Sequence, residues 1–389
     1  MNLMTYARRN VFRRRGRTIL TILGVAMAVM IFSGIRTVVA SFEAGADAAA
    51  KDRIATRHKN SIVMLLPKRY IDDVRGIQGV KAATWAVWFG SKDPKKRTPF
   101  FAAFASDHES WFTVMDEMAV EPAALAEWKS TPNGAILGDI LAKTLQVKPG
   151  DRLTIQSDIY PGDWEFKVVG IYQATRKSVD RNSMVFRWDY LNNDPRGEVM
   201  RDKIGWVLTR IDDAKASAAI SKSIDTNFDD REDQTLTMSE RAFQLSFLGA
   251  FASVLKAFDV VSAIILLIMA LILANTIATA ARERTHEYGV LRAVGFQPGH
   301  IVGFIVGESV LIAVLGGLAG VLLTAGLING VMGPAIEENM GALFPYFRAP
   351  IGVIALALVL TIVLGTLAAT IPALQASRRK VTDALRRVD

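Results

Sequence analysis

The stretch VVSAIILLIMALILANTIATAA, residues 260–281, indicates what kind of protein this is, because it runs for 22 residues without a charged side chain. A helix needs about 20 mainly apolar residues to cross the hydrocarbon core of a bilayer. Residues 18–35, 301–332 and 351–371 are similar runs, with Glu308 as the one charge among them. The sequence therefore predicts four membrane-spanning helices. The first run exceeds the about 7–15 apolar residues of a signal peptide, so we expect it to be retained.

Positive charge is concentrated in three short segments beside these runs, at residues 1–17, 282–300 and 376–389. Together they hold fourteen Lys and Arg residues against four Asp and Glu residues, while the rest of the chain is nearly neutral. Lys and Arg accumulate in the short cytoplasmic flanks of spanning helices. We therefore expect both termini in the cytoplasm. The basic residues are membrane flanks, so we expect no nucleic-acid binding, which needs a basic face on a soluble domain.

About 200 residues separate the first two runs, and their composition is typical of a globular α+β domain. The pattern predicts strands at 61–66, 98–104, 152–156, 164–172 and 205–211. It predicts helices at 41–57, 70–74, 136–145, 213–227 and 238–258. The fold class is thus an α-helical membrane protein with four transmembrane helices and an extracytoplasmic α+β domain inserted between the first and second.

The predicted order along the chain follows from these boundaries. It is a basic cytoplasmic segment at 1–17, a helix at 18–40, the inserted domain with stalk helices at 41–257, a helix at 258–281, a cytoplasmic loop at 282–300, a helix at 301–332, a short outer loop at 333–350, a helix at 351–373 and a cytoplasmic tail at 374–389.

Signals for catalysis are absent from the sequence. The chain has no cysteine, and its four histidines do not stand at metal-ligand spacing. It contains no G-x-x-x-x-G-K-[ST] phosphate-binding loop, so we expect no ATP site of that kind. We accordingly predict no catalytic residue, bound cofactor or metal in this chain, and expect it not to be an enzyme.

The loop RERTHEYGVLRAVGF, residues 282–296, is the most informative segment. Tyr288, Leu291 and Val294 recur every three residues and Gly295 can end a helix, which predicts a short helix on the membrane surface. From periodicity alone, this helix is either a handle for a soluble partner or a plain charged connector.

The loop resembles the signature of the MacB/FtsX-like ABC transporter permeases, in the type VII group with the Lol proteins. The residues at matching positions are Arg284, Glu287, Gly289, Leu291, Arg292, Ala293 and Gly295, together with Asn275 before the loop. The resemblance extends over the whole chain in order: one helix, an outer domain, then three helices.

This resemblance implies a lone permease subunit of the bacterial inner membrane that works as a dimer, with a second copy or a paralogue. A separate ABC ATPase dimer would bind ATP and Mg, and the short loop would be the coupling helix that receives its movement. Arg284, Gly289, Leu291 and Gly295 are then candidate coupling residues, with Glu287 and Arg292 expected to make ionic contacts to the ATPase.

Two polar residues within the runs have expected structural roles. Glu308 should pair locally or reach the interface, and Asn275 should make a hydrogen bond between helices.

Two functions follow from the resemblance. The first is mechanotransmission, in which ATP-driven movement reaches the periplasmic domain and acts on lipoproteins or amphipathic molecules, with a periplasmic adaptor as a further partner. The alternative is an FtsX-like regulator of a periplasmic protein such as a cell-wall hydrolase, which moves no cargo. Membrane lipid is a partner in both.

Overall fold

The computed structural model describes residues 15–47, 49–98, 101–176, 179–250, 252–339, 344 and 346–379. Most of the basic N-terminal segment and the tail from residue 380 onward lie outside the described residues. The chain forms two compact units. The spanning unit contains residues 1–40, 251–334 and 347–389, and the inserted domain contains residues 41–250 and 335–346.

The described residues form thirteen α-helices and thirteen β-strands. The helices are α1 (Arg15–Asp47), α2 (Tyr70–Arg75), α3 (Trp111–Val114), α4 (Pro122–Ser130), α5 (Asp139–Leu145), α6 (Trp188–Asn192), α7 (Ser217–Phe228), α8 (Glu240–Ala250), α9 (Ala252–Glu283), α10 (Thr285–Ala293), α11 (Pro298–Leu323), α12 (Gly333–Asn339) and α13 (Ile351–Arg378). The strands are β1 (Arg53–His58), β2 (Leu66–Pro67), β3 (Val80–Trp88), β4 (Ser91–Lys92), β5 (Ala102–Ser106), β6 (Met118–Ala119), β7 (Gly134–Gly138), β8 (Arg152–Ser157), β9 (Asp163–Ala174), β10 (Ser183–Arg187), β11 (Lys203–Ile204), β12 (Trp206–Ile211) and β13 (Thr235–Ser239). Short 3₁₀ turns at Pro195–Met200 and Ala214–Ala216 and a π-helix at Thr324–Met332 complete the described chain.

Four of these helices, α1, α9, α11 with its π-helical continuation, and α13, are long and apolar enough to cross a membrane. With the α+β domain between the first and second, they confirm the predicted fold class.

Small residues allow the spanning helices to approach closely. Gly316 and Gly320 of α11 face Val25 and Val29 of α1, and a Cβ atom on either glycine would come within 2.6 Å of a valine side-chain atom. Such distances leave no room for any larger residue. The packing of α1 on α11 therefore depends on these two glycines.

The inserted domain is built on a mixed sheet. Its strand order is β13-β1-β12-β3-β5-β10-β7-β9-β8-β4, and β6 pairs with the end of β9. Most pairs are antiparallel, whereas β10 with β5 and β7 with β9 are parallel. Along β12, Val207 and Ile211 pack into one apolar core and Trp206 and Leu208 into another, as the two-residue period of a strand requires. Helices α2, α5 and α7 cover the first face, and α3, α4 and α8 cover the second.

The outer loop between α11 and α13 is part of the inserted domain. Phe344 contacts Phe42 with ring centroids 4.6 Å apart, and Glu338 lies 3.9 Å from the ammonium group of Lys143. The predicted short loop at 333–350 therefore begins with a helix, α12, and its residues 335–346 belong to the inserted domain.

Several predicted elements in the domain are wrong. The helix predicted at 41–57 ends at Asp47, because residues 53–58 pair as β1 between β12 and β13. The helix predicted at 136–145 begins only at Asp139, after strand β7. The strand predicted at 61–66 is mostly turn, and Val63 in it faces solvent.

The other predictions hold more closely. Strands at 152–156, 164–172 and 205–211 and the helix at 70–74 are present within two residues, and the helix predicted at 213–227 is a 3₁₀ turn at Ala214–Ala216 followed by α7. The strand predicted at 98–104 starts at Ala102, and residues 99–100 lie outside the described residues. Strands β3, β10 and β13 were not predicted.

Candidate functional site

The short helix α10 between the second and third spanning helices has well-defined ends. Gly295 has φ of +104°, its N–H donates to the Arg292 carbonyl at 3.1 Å, and the Phe296 N–H donates to the Leu291 carbonyl at 3.1 Å. This pair of bonds is the Schellman arrangement, in which a residue in the left-handed conformation ends a helix. Glycine adopts that conformation without strain, so Gly295 ends the helix as the sequence predicted.

The N-terminal end of α10 is bonded to α11 by a buried ion pair. Nη1 of Arg284 donates to Oε2 of Glu308 at 2.7 Å, and each residue is only 7% exposed. Burial alone would lower the pKa of Arg284, but Glu308, Tyr288 and Glu287 together outweigh burial and raise that pKa. The guanidinium is therefore always charged, and Glu308 supplies a carboxylate for it.

The C-terminal end of α10 is bonded to α13. Nη1 of Arg292 donates to the backbone carbonyls of Ser377 at 3.0 Å and Arg379 at 2.9 Å. The last carbonyls of a helix have no partner within it and carry partial negative charge. Arg292 thus caps the fourth spanning helix.

The first spanning helix is bonded to the end of α9, just before α10. Nη1 of Arg17 donates to Oε2 of Glu283 at 2.9 Å, and the hydroxyls of Thr21 and Thr276 are hydrogen-bonded at 3.1 Å one turn further along. Together with the bonds of Arg284 and Arg292, these contacts bring one end of all four spanning helices to α10.

The interior face of α10 is apolar. Tyr288 is buried in the core of the spanning unit, Leu291 packs against that core, and Gly289 is buried beside Tyr288. Because these side chains pack between the spanning helices, α10 is seated in the helix bundle rather than hanging from it.

Comparison with known proteins gives two matches to family models. Residues 18–227, more than half of the chain, match the MacB-like periplasmic core domain, and residues 260–381 match the C-terminal part of FtsX-like permeases. The chain belongs to the MacB/FtsX-like family of ABC transporter permeases.

Individual relatives differ in how much of the permease they cover. An uncharacterized ABC transporter permease of Methanocaldococcus jannaschii is 24% identical over 364 residues, which is 88% of this chain and 87% of the relative. The macrolide export ATP-binding/permease protein MacB of Nitrobacter winogradskyi is 34% identical over 157 residues, 40% of this chain but 23% of that protein. The crystal structure of the periplasmic region of MacB from Actinobacillus actinomycetemcomitans matches with 11% identity and a TM-score of 0.38, covering 52% of this chain and 94% of that one.

An exposed apolar face of the permease was not anticipated from the sequence. Val290 is 43% exposed and Val294 is 76% exposed, and His286 and Phe296 are exposed with them. His286, Val290 and Val294 follow one another at four-residue spacing, which places them on one side of a helix. We call these four residues the outer face of α10. The four-residue spacing of His286, Val290 and Val294 is the sequence signal that indicates this face.

The remaining predicted site residues are placed as follows. Glu287 is half-buried and interacts electrostatically with Arg284. Asn275 is exposed on α9, and within the described residues it makes no hydrogen bond to another helix; its neighbour Thr276 makes one instead. The structure therefore brings Arg284 and Glu308 together and bonds Arg292 of α10 to the end of α13. Asn275 lies apart from these residues.

A serine-histidine-aspartate site is not formed at Asp107, His108 and Ser110, which are close in sequence. Ser110 Oγ bonds directly to the Asp107 carboxylate, and His108 pairs instead with Asp189 at 3.2 Å. No histidine stands between a serine and an acid here, so the arrangement cannot activate a serine nucleophile.

Proposed function

We propose that this chain is the permease subunit of an ABC transporter in which a separate ATPase, binding ATP and Mg, drives movements of the inserted domain. In this proposal α10 is the coupling helix, and the chain lies in the inner membrane as a pair with a second copy or a paralogue. The fourteen basic residues in the three short flanks support cytoplasmic termini and an extracytoplasmic inserted domain.

The observation that carries the proposal is the bonding of α10 at both ends. Arg284 is joined to α11 and Arg292 to α13, while the chain itself connects α10 to α9. A displacement of α10 would therefore act on three spanning helices together, and through Arg17 on the first as well. A plain connector would need none of these bonds.

The outer face of α10 is the surface we propose for the ATPase. Val290 and Val294 are exposed at four-residue spacing and Phe296 is exposed two residues further on, and a group of exposed apolar side chains is typical of an interaction site. We further propose that contacts to the ATPase are mainly apolar at this face. Glu287 stays a candidate for an ionic contact, whereas Arg292 already caps α13.

For the substrate, we propose release of lipoproteins or export of amphipathic molecules. The family membership supports a mechanism in which the substrate is moved outside the bilayer. The alternative is regulation of a periplasmic protein such as a cell-wall hydrolase, in which no cargo is moved. A transport assay with no detectable cargo would favour this alternative.

Replacing Val294 by Glu tests the proposed ATPase surface. The variant should lose both co-purification with the ATPase and stimulation of vanadate-sensitive ATP hydrolysis, because a charge at the centre of an apolar contact must be desolvated. The measurement uses the full-length permease in nanodiscs with the ATPase that co-purifies from its native membrane.

The matched control is Val199→Glu in the inserted domain, where the valine is 79% exposed and the same charge is introduced. This variant should keep full stimulation, and both variants should insert into the membrane normally. Undiminished ATP hydrolysis with the Val294 variant would show that α10 does not contact the ATPase through this face.

A further inference from the structure

A buried cluster of charged side chains joins the two segments through which the chain enters and leaves the inserted domain. We call residues 41–53 the incoming segment and residues 240–250 the outgoing segment. Arg53 is 3% exposed, and its Nε and Nη2 atoms donate to the two carboxylate oxygens of Glu240 at 2.9 and 2.8 Å. The N–H of Ala50 donates to Oε2 of Glu240 at 3.0 Å. Three hydrogen bonds thus hold the two segments together.

The same guanidinium contacts a third part of the domain, the loop at residues 114–117. Nη1 of Arg53 donates to the carbonyl of Val114 and to Oε2 of Glu117, both at 3.0 Å, and Nη2 donates to Oε1 at 2.7 Å. Arg210 of β12 donates to the same carbonyl at 3.0 Å and to Glu117 at 3.2 Å. Arg53 therefore connects both segments to the loop, and Arg210 connects the loop to β12 in the interior of the sheet.

Stability does not explain why charged groups occupy this position. Taking several charges out of water costs free energy that their attraction often fails to repay, and apolar side chains of similar size are frequently as stable. Burial raises the pKa of Glu117, but the hydrogen bonds and the charge of Arg53, with further hydrogen bonds to the carboxylate, together outweigh burial and lower that pKa to about 2. Glu117 is thus ionised at physiological pH.

The planar fork of an arginine has a property that apolar packing lacks. Its five donors point in fixed directions, so two carboxylates bonded to it keep a fixed mutual position. Apolar surfaces of the same area can slide past one another. A bridge of this kind is suited to passing a displacement from one segment to another.

We propose that Arg53 is a positioning residue for coupling: it makes the incoming and outgoing segments move as one body and passes their movement to the loop at 114–117. This proposal rests on the proposed function, because it concerns the route by which movement of the spanning helices reaches the body of the domain.

The test uses pairs of spin labels, which are easily placed because the native chain has no cysteine. One label is on Gly299, where added atoms meet nothing within 4 Å, and the other is on Glu43 of the incoming segment or on exposed Glu121 in the body. Full-length permease with its ATPase in nanodiscs is diluted with unlabelled permease. Distances are compared between the nucleotide-free and vanadate-trapped states, and both pairs should change in the wild type.

The variant Arg53→Lys keeps the positive charge but lacks the fork that holds both carboxylates. We expect the 299–43 distance change and the stimulation of ATP hydrolysis to persist, and the 299–121 change to be lost. The control is Arg241→Ala, which removes an exposed ion pair with Asp47 between the same two segments. Exposed pairs contribute little, so this control should behave as wild type.

Each outcome separates the two proposals. If Arg53→Lys retains both distance changes, the role of Arg53 is wrong and the proposed function stands. If neither pair changes in the wild type while the ATPase is active, the proposed function fails and this inference with it. Should Arg53→Lys not fold, Glu240→Gln removes one charged acceptor while keeping an oxygen for the Ala50 N–H, and the same loss of the 299–121 change is expected.

Discussion

Glu308 and Arg284 show how single residues tie the spanning helices together. A carboxylate inside a spanning helix is costly unless it is paired, and here the guanidinium of Arg284 bonds to it at 2.7 Å. The pair joins the start of α10 to Glu308, which lies ten residues after the start of α11. Its removal should therefore affect both stability and coupling.

Glu308→Ala should lower the stability of the full-length permease by about 3–5 kcal/mol, because it leaves a buried positive charge without its carboxylate. Thermal unfolding in detergent, followed by fluorescence-detected size exclusion, measures the effect. The double variant Arg284→Met with Glu308→Leu should recover most of the loss, since an apolar pair removes both buried charges. Equal melting temperatures for Glu308→Ala and wild type would contradict this role.

The sequence predicted local pairing for Glu308 but not its partner. The charge and its depth in the apolar run are visible in the sequence. The identity of Arg284 depends on how α10 folds back against α11, which is a matter of tertiary packing. The same limit explains why the capping role of Arg292 was missed: its acceptors are backbone carbonyls of Ser377 and Arg379, which no side-chain pattern can reveal.

At the scale of elements, α10 shows what periodicity can and cannot predict. A three-residue spacing indicated the helix and its end at Gly295 correctly. It also suggested that Tyr288, Leu291 and Val294 form one face, but Tyr288 is buried and Val294 is exposed. With 3.6 residues per turn, steps of three fall behind by about 60° each, so the first and last residues of this stripe point in different directions.

Strand β1 was mistaken for helix for a comparable reason. The Ala-rich stretch after Ser41 favours helix by propensity, and that preference holds as far as Asp47. From Arg53 onward, pairing with β12 on one side and β13 on the other overrides it. Those partners lie more than 150 residues further along, so local composition could not disclose them.

The packing of α11 on α1 leads to a prediction about two glycines of the same helix. Gly320→Ala should destabilise the permease by about 1–3 kcal/mol, because the new methyl group would overlap Val29. Gly307→Ala is the matched control, since nothing lies within 4 Å of its added Cβ atom. Melting temperatures of the two variants in one detergent give the comparison, and similar values would rule out close packing at Gly320.

At the scale of the whole molecule, charge and hydropathy were sufficient to predict the architecture. Four apolar runs and the long segment after the first of them correspond to the four spanning helices and the inserted α+β domain. Asn275 of α9 lies within the apolar run at residues 260–281 and is exposed in the single chain. Polar groups in spanning helices rarely face lipid, so we expect a second permease subunit to cover it.

Asn275→Leu should therefore weaken association of the permease with its second copy or paralogue. An interhelical hydrogen bond in a membrane contributes roughly 0.6–2 kcal/mol, which corresponds to a several-fold rise in the dissociation constant. Single-molecule photobleaching in nanodiscs at graded dilution measures the dimer fraction. The control is Thr366→Leu on α13, where the threonine is half-buried and its hydroxyl donates to the Ile362 carbonyl of the same helix. An unchanged dimer fraction for Asn275→Leu would place the interface elsewhere.

The outer loop has a consequence for how the protein is made. Residues 335–346 belong to the same compact unit as residues 41–250, although two spanning helices separate them along the chain. Ribosomes deliver the chain from the N-terminus, and domains generally fold as units. The described strands of the sheet all precede residue 240, but Phe42 and Lys143 meet Phe344 and Glu338 only after that later segment has been synthesised. Biosynthesis of the domain is thus completed only after the third spanning helix has been inserted.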